Sequence, residues 1–295
     1  MKEEICLKAY AKVNLSLCIL GKRADGYHEL YSVMQQIGLH DEVLLKRRPE
    51  GIVLRVESDD APGCGHALVP CDERNIAWKA AALFFEERGI KGGAEILLKK
   101  HIPAAAGLAG GSTDAAAVLK GLAELYESGD SEESLCATGV RLGADVPFCI
   151  RGGTMLAEGI GEKLSSLPAP QGYTVLLVKP PVDVPTGEVY KAFDALKPQE
   201  PPADMAAILK GTVKLPLTEG LYNDLAAVTE EKHPFIAALR AELCKEGAAA
   251  ALMSGSGPTV FGLYTEKDAA EKALRIMKEA HPDCFCCVCA LQGAE

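Results

Sequence analysis

The chain has 295 residues, and its 31 basic and 41 acidic side chains give a formal net charge of −10. Because so acidic a chain repels polyphosphate, the composition argues against a general nucleic-acid-binding protein. Apolar residues make up 48% of the sequence, which is too many for a disordered chain. A chain of this length is expected to form about two domains, each large enough to bury a core.

No targeting or membrane-spanning segment is recognisable in the sequence. The chain begins with the acidic segment Met1-Lys2-Glu3-Glu4, and no apolar run approaches the ~20 residues that a membrane span needs. The cysteines are irregularly spaced, as is typical of reduced thiols rather than of a disulfide framework. We therefore expect a soluble, cytoplasmic protein whose partners include neither membrane nor nucleic acid. The sequence does not predict its oligomeric state.

The first half of the chain alternates between strand and helix patterns. Apolar and polar residues alternate over 5–20, which predicts a strand, and a turn-rich stretch follows over 21–26. Further strand-like runs cover 42–46, 52–56 and 94–99. The predicted helices run from Ile76 to a stop at Gly89, from near Ser112 onward, and from a cap at Asp130 with Glu133 to Gly143.

The pattern changes to short strands and turns around Gly152-Gly153, which places a domain boundary between residues 1–154 and 155–295. Next come a buried strand over 174–178 and a loop over 180–187. A Pro-rich stretch over 198–202 then precedes further helical segments. The last unit is predicted as strand 249–253, turn 254–258, strand 259–264, helix 266–280 and a final strand. Interleaved strands and helices in two halves indicate the α+β class.

Four cysteines near the C-terminus raise the question of a metal site: Cys284, Cys286, Cys287 and Cys289. Zinc motifs usually leave two or more residues between paired cysteines. In an extended strand the first two side chains face one way and the last two the other, so they cannot converge on one ion. We therefore favour a terminal strand of small residues and predict no metal bound by the protein.

The segment Pro103-Ala104-Ala105-Ala106-Gly107-Leu108-Ala109-Gly110-Gly111-Ser112-Thr113-Asp114 joins a predicted strand to a predicted helix. A loop of small residues at a helix N-terminus favours an anion, because the first N–H groups lack partners and the helix dipole adds about half a positive charge. It is not a Walker A loop, since no Lys precedes Ser112, and its glycines are mis-spaced for a dinucleotide fingerprint. The alternative is that small residues allow close helix–sheet packing.

Three further segments carry polar residues of interest. Lys12 and Asn14 project from the same face of the first strand and suit an oxyanion or a substrate hydroxyl; the alternative is two solvated positions on a half-exposed strand. Asp145, in Gly143-Ala144-Asp145-Val146-Pro147-Phe148, is a candidate general base or a turn residue. The segment Ser254-Gly255-Ser256-Gly257-Pro258-Thr259 alone predicts a hairpin.

Together these segments resemble the GHMP kinases, a superfamily of small-molecule kinases. Loop 103–114 resembles the ATP-phosphate motif of that family, and 253–259 resembles its third motif. Segments 9–15, 23–30 and 143–148 resemble, more narrowly, the members that act on cytidine-diphosphate methylerythritol in the non-mevalonate isoprenoid pathway. The resemblance implies a two-domain α+β architecture with a ribosomal S5 domain 2-like N-terminal half, a ferredoxin-like C-terminal half and an active site between them.

The resemblance also implies a reaction, the transfer of the γ-phosphate of ATP to the 2-hydroxyl of that substrate, with Mg²⁺ accompanying ATP. Asp145 would accept the hydroxyl proton, and Lys12 would keep Asp145 ionised and stabilise the charge of the transferring group. Asn14 would position the polyol, and Tyr27 and His28 would recognise the cytidine. The implied ATP-binding residues are Pro103, Ala104, Ala105, Ala106, Gly107, Leu108, Ala109, Gly110, Gly111, Ser112 and Thr113.

Two other functions stay open at this point. A kinase for a simpler alcohol such as mevalonate or homoserine would have little use for the Tyr27-His28 pair. A catalytically silent nucleotide-binding regulator would not need both Lys12 and Asp145. Tyr190 is a candidate second aromatic partner for the cytosine. Four alanines stand where some GHMP kinases carry glycine and narrow the room for phosphates: Ala104, Ala105, Ala106 and Ala109.

Overall fold

The computed structural model describes residues 2–58, 61–65, 69–196 and 200–293. Its strands are β1 (Glu4–Lys22), β2 (His28–Arg48), β3 (Gly51–Ser58), β4 (Gly93–Lys100), β5 (Thr154–Gly159), β6 (Lys163–Ser166), β7 (Thr174–Lys179), β8 (Tyr222–Asn223), β9 (Ala250–Met253), β10 (Val260–Tyr264) and β11 (Phe285–Ala290). Its helices are α1 (Ile76–Arg88), α2 (Gly110–Leu125), α3 (Glu132–Val140), α4 (Val146–Arg151), α5 (Thr186–Phe193), α6 (Met205–Leu209), α7 (Asp224–Lys232), α8 (Pro234–Lys245) and α9 (Lys267–Ala280). The Pro-rich stretch 198–202 lies partly outside the described residues. None of the described helices combines the length and apolar character that crossing a bilayer requires.

The larger sheet is built around the long antiparallel pair β1 and β2. Its main path is β3-β4-β2-β1-β8, with β3 parallel to β4 and β8 parallel to β1. The first part of β2 pairs with β5, which pairs with β6, and the last part pairs with β4. Residues 154–166 therefore belong to this sheet, and the domain boundary at residues 154 and 155 stays a prediction.

Helices α1 and α2 form as the apolar spacing predicts. The side chain of Asn75 caps α1 by accepting from the N–H of Ala77 at 2.9 Å, and Gly89 ends the helix in the left-handed conformation. The α2 stripe of apolar residues is buried against the sheet and α1. This helix begins at Gly110, two residues earlier than predicted, and Ala109 precedes it at φ 61°.

Both predicted ends of α3, the cap at Asp130 and the stop at Gly143, are wrong. Ser131, not Asp130, caps α3, because its hydroxyl accepts from the N–H of Ser134 at 3.2 Å, and the helix ends at Val140. Asp130 instead accepts two hydrogen bonds from the Arg88 guanidinium at 2.6 and 2.7 Å, which hold the pKa of Asp130 well below its usual range. The sequence also predicted only residues 42–46 of β2 and missed α4.

The smaller sheet has the strand order β11-β7-β10-β9, and all of its pairs are antiparallel. With helices between β7 and β9 and α9 between β10 and β11, the connection is βαββαβ, the ferredoxin-like arrangement. The predicted order of the last unit is confirmed. The C-terminal cysteines alternate as predicted: Cys284 and Cys286 pack in one apolar cluster, and Cys287 and Cys289 pack against another.

The two halves of the chain share a core and a hydrogen-bonded seam. Leu17 and Leu30 of the larger sheet pack among residues of α5, α7 and the smaller sheet. Beyond β11, the N–H of Gln292 donates to the carbonyl of Gln36 at 2.9 Å, and Gln35 donates to the carbonyl of Gln292 at 2.7 Å. These contacts hold the two halves together.

Candidate active site

A cleft of about 1090 Å³ lies between the halves, lined by β1, β2, the loop before α2, the start of α5 and the turn after β9. Most of the predicted site residues line it: Lys12, Asn14, Tyr27, His28, Pro103, Ala104, Ala105, Ala106, Gly107, Ala109, Gly110, Gly111, Ser112 and Asp145. Two do not reach it. Leu108 packs in the core, and Thr113 lines a separate small cavity behind the cleft.

Lys12 and Asn14 are buried side chains, so the alternative of two solvated positions is wrong. They are 5% and 1% exposed, because β2 and β8 flank β1 and the loop before α2 covers it. Nζ of Lys12 donates to Oδ1 of Asn14 at 2.7 Å, and Nδ2 of Asn14 donates to the Ser32 hydroxyl at 2.9 Å. That hydroxyl donates to the carbonyl of Ser16 at 2.6 Å. This chain of bonds fixes the direction of the Lys12 ammonium.

Asp145 meets Lys12 at the floor of the cleft, where Oδ2 of Asp145 lies 3.5 Å from Nζ of Lys12. Asp145 directly precedes α4, but its carboxylate makes no capping hydrogen bond to that helix. The carboxylate keeps about a third of its surface exposed and faces the cleft. A half-open carboxylate beside a buried ammonium can accept a proton from a bound hydroxyl, and the ammonium can offset negative charge nearby.

The loop before α2 and the turn after β9 lock together through backbone contacts. The hydroxyl of Ser254 donates to the carbonyl of Gly107 at 3.0 Å. Gly107 adopts φ +73°, and a Cβ there would lie 2.3 Å from the carbonyl oxygen of Ser254. Only glycine fits this contact without movement of the backbone. The turn after β9 thus holds the loop before α2, and the Leu108 carbonyl of that loop accepts from the N–H of Lys12 at 3.1 Å.

Two of the four alanines in the loop before α2 have a positive φ, a backbone conformation that glycine adopts without strain. Ala105 has φ 48° and Ala109 has φ 61°, a conformation that costs an L-residue about 1–2 kcal/mol. The backbone nevertheless turns as a glycine loop would, and it presents the first turn of α2, Gly110 to Ser112, to the cleft. The N–H groups of that turn lack helical partners, and such groups can donate to an anion.

A buried ion cluster that sequence reasoning missed lies beneath this helix end. Lys100 bonds to Asp41 and to Asp114, the latter at 2.5 Å, and each of the three residues is at most 3% exposed. Asp41 also accepts from the backbone N–H groups of His101 and Ile102. The β2–β4 register, in which Glu42 faces Lys99, brings Asp41 next to Lys100, and no local pattern could have signalled it.

The cluster holds one cation and two carboxylates. Oδ1 of Asp114 is buried and has no hydrogen-bond partner among the described residues. Burial raises the pKa of Asp114 to about 7, although Lys100 acts in the opposite direction. For Lys100, burial acts to lower the pKa, but the two carboxylates outweigh it and raise the value. When both carboxylates are ionised, the cluster therefore carries a net charge of −1 next to the start of α2.

Asp114→Asn is expected to stabilise the protein at about pH 8 by about 1–3 kcal/mol. In the unfolded chain an aspartate loses its proton at about pH 4, whereas folded Asp114 keeps it to about pH 7. Ionisation of this side chain therefore lowers the free energy of unfolding as the pH rises between those values, and asparagine removes that effect. Urea unfolding of both proteins at about pH 4 and about pH 8 measures it. A gain of equal size at both pH values would contradict the explanation.

Part of the cleft is lined by the rings of Tyr27, His28 and Tyr190, which form its aromatic end. Tyr27 is 60% exposed, and its N–H donates to Oδ1 of Asp25 at 3.1 Å within a turn held by Arg23. The ring of His28 lies 5.1 Å from that of Tyr190, with the ring planes inclined by 35°. Burial raises the pKa of Tyr190, and the charge of Asp145 adds to this effect. Tyr190, which the sequence left as a candidate, thus stands in the cleft beside His28.

No group of three or more His, Cys, Asp or Glu side chains placed to hold a metal ion occurs among the residues that the structure describes. Ser112 and Asp114 both line the cleft at the start of α2. Their oxygens are the type of donor that Mg²⁺ accepts beside phosphate oxygens.

Comparison with known proteins identifies the family. Residues 75–153 match the family model "GHMP kinases N terminal domain", and residues 205–283 match "GHMP kinases C terminal". A 4-diphosphocytidyl-2-C-methyl-D-erythritol kinase of Acetivibrio thermocellus is 45% identical over 286 residues, which span 96% of this chain and 98% of the relative. A protein of the same name from Clostridium botulinum is 44% identical over 282 residues, with 95% and 98% covered.

Solved structures agree with the sequence relatives. A crystal structure of 4-(cytidine 5'-diphospho)-2C-methyl-D-erythritol kinase superposes with a TM-score of 0.77 at 32% identity, covering 97% of this chain and 99% of that one. A homoserine kinase from Cytophaga hutchinsonii also gives a TM-score of 0.77, with 100% and 96% covered, but at 21% identity it supports the fold alone. The chain belongs to the GHMP kinase family, among the 4-diphosphocytidyl-2-C-methyl-D-erythritol kinases.

Proposed function

We propose that the chain transfers the γ-phosphate of ATP to the 2-hydroxyl of 4-diphosphocytidyl-2-C-methyl-D-erythritol, a step of the non-mevalonate isoprenoid pathway. The observation that carries this proposal is that Lys12 and Asp145, 3.5 Å apart, line one cleft together with the loop before α2 and the rings of Tyr27, His28 and Tyr190. The names of the most similar relatives support the choice of substrate.

ATP is the co-substrate, and its phosphates fit the loop 103–113. Backbone N–H groups and the N-terminus of α2 supply the partial positive charge that a polyphosphate needs. Mg²⁺ enters with ATP as part of the substrate complex, and the hydroxyl of Ser112 is placed to contact a phosphate or the ion. In this way a chain of net charge −10 can bind a polyanion locally, without a basic surface.

The cytidine end of the acceptor fits the aromatic end of the cleft. The rings of Tyr27 and Tyr190 offer stacking surfaces for a base, and the imidazole of His28 offers a hydrogen bond to its edge. With the base at these rings, the methylerythritol moiety would extend to Asn14 and Lys12, which line the same cleft.

The transfer itself needs mainly positioning and electrostatic stabilisation. The oxygen of the 2-hydroxyl forms a bond to the γ-phosphorus, the bond from that phosphorus to the bridging oxygen breaks, and ADP leaves. Asp145 accepts the hydroxyl proton. Lys12, whose direction Asn14 fixes at 2.7 Å, offsets the charge on the transferring group.

A panel of acceptors tests the proposal. With Mg-ATP, the purified protein is expected to phosphorylate 4-diphosphocytidyl-2-C-methyl-D-erythritol with a kcat/KM at least about 10⁴-fold above that for mevalonate or homoserine, which leave the aromatic end unfilled. ADP release measured with each acceptor, and with no acceptor as the background, gives the comparison. Similar turnover of all three compounds would rule out the proposed acceptor and favour a kinase of simpler alcohols.

A further inference from the structure

The carboxylate of Asp194 bridges two side chains that stand opposite each other at the end of the β1–β2 pair. Lys22 and His28 are register partners in the two strands. Nε2 of His28 lies 2.8 Å from Oδ1 of Asp194, and Nζ of Lys22 pairs with Oδ2 of the same carboxylate. Asp194 directly follows α5, in the second half of the chain. One carboxylate therefore ties α5 to the strand end that carries His28.

The bond to Asp194 determines which nitrogen of His28 carries hydrogen. Hydrogen bonds from Lys22 and His28 lower the pKa of Asp194 below its usual range, so its ionised carboxylate can only accept. Nε2 therefore donates to the carboxylate, and when the ring is neutral Nδ1 is left as an acceptor. Among the residues that the structure describes, none hydrogen-bonds to Nδ1, and the ring lines the cleft beside Tyr190.

We propose that Asp194 is a positioning residue that makes the site select cytosine over uracil, by holding His28 with Nδ1 as a hydrogen-bond acceptor. This inference rests on the proposed function, because it assigns the base-recognition step of the same site. Cytosine presents an exocyclic amine where uracil presents a carbonyl oxygen. An acceptor at Nδ1 pairs with the amine and repels the carbonyl, so it supplies both an attractive and a repulsive element.

Helix α5 contributes to this recognition from two positions. Tyr190 precedes Asp194 by one helical turn, so the two side chains emerge from the same side of the helix. The N–H of Asp194 donates to the carbonyl of Tyr190 at 3.2 Å, which continues the helical hydrogen bonding through both residues. The helix therefore supplies a ring beside His28 and the carboxylate that orients His28.

Asp194→Asn tests the proposal by calorimetric binding of cytidine diphosphate and uridine diphosphate to the full chain. The amide of asparagine can donate to Nε2 as well as accept from it, so the constraint on the imidazole is lost. The preference for cytidine diphosphate is expected to fall by about 10- to 100-fold, mostly through weaker binding of the cytidine compound, while the KM for ATP stays within about twofold. Glu188→Gln makes the same chemical change at an exposed position of α5 and is expected to leave the preference unchanged.

The nitrogen NMR shifts of His28 distinguish orientation of the ring from a merely structural role. The wild-type protein is expected to carry hydrogen on Nε2 and none on Nδ1, and Asp194→Asn is expected to show both neutral forms. A wild-type spectrum with hydrogen on Nδ1, or an unchanged base preference in folded Asp194→Asn, would overturn the proposal. The NMR shifts and the binding of the two diphosphates can be measured without phosphoryl transfer. If the wild-type protein preferred cytidine diphosphate but phosphorylated no acceptor in the panel, that result would contradict the proposed function and leave the role of Asp194 intact.

Discussion

Asp145→Asn is expected to lower kcat by about 10²–10⁴, the range for loss of a general base. The amide keeps the size of the carboxylate but cannot take the hydroxyl proton, and it no longer carries the charge that faces Nζ of Lys12 at 3.5 Å. Because the proposed site for the phosphates of ATP is the loop before α2, on a different segment, the KM for ATP is expected to stay within about threefold. Steady-state kinetics with both substrates varied gives the two constants separately.

The control for this variant is Asp268→Asn, which makes the same change at an exposed position in the first turn of α9 and is expected to keep wild-type kinetics. Asp145→Asn with a wild-type kcat would remove Asp145 from the chemistry, leaving orientation by Lys12 and Asn14 as the basis of catalysis. A rise in the KM for ATP at constant kcat would instead assign Asp145 to nucleotide binding.

The grouping of the candidate catalytic residues was predictable because its signals are local in the sequence. Lys12 and Asn14 are two residues apart on one strand, and that spacing alone places both side chains on one face. Asp145 lies in a short segment whose neighbours end one helix and begin another. The anion site follows from a run of small residues before a helix. Local spacing did not reveal that Lys12 and Asn14 are buried, because that depends on the neighbours of β1 in the sheet.

The supporting side chains were not predictable, since each depends on a long-range contact. Asp41 meets Lys100 only because β2 and β4 pair in one register. Asp194 meets His28 across 166 positions of sequence, and only the packing of α5 against the end of the β1–β2 pair creates that contact. The first part of β2 was missed because Gln35 and Gln36 interrupt its apolar pattern. In the sheet their side chains form hydrogen bonds with backbone and neighbouring polar groups rather than with solvent.

Gly107→Ala is expected to lower the free energy of unfolding by about 2–5 kcal/mol and to raise the KM for ATP by at least about tenfold. The added Cβ would lie 2.3 Å from the carbonyl oxygen of Ser254 and 3.1 Å from that of Gly257, at a φ of +73° that strains any L-residue. Both neighbours are backbone atoms, so relief requires the loop and the turn to separate. The N–H groups of the loop would then leave the positions in which we propose that they bind the phosphates of ATP.

Gly187→Ala provides a matched control in the same cleft. Gly187 also lines the cleft, but a Cβ there meets no atom of the described residues within 4 Å, and its φ lies outside the strained region. Urea unfolding is expected to change by less than about 0.5 kcal/mol for this variant, with the KM for ATP unchanged. If Gly107→Ala kept both wild-type stability and a wild-type KM for ATP, the contact with Ser254 would not hold the phosphate loop. A loss of stability with an unchanged KM would separate the two roles and limit Gly107 to joining the halves of the chain.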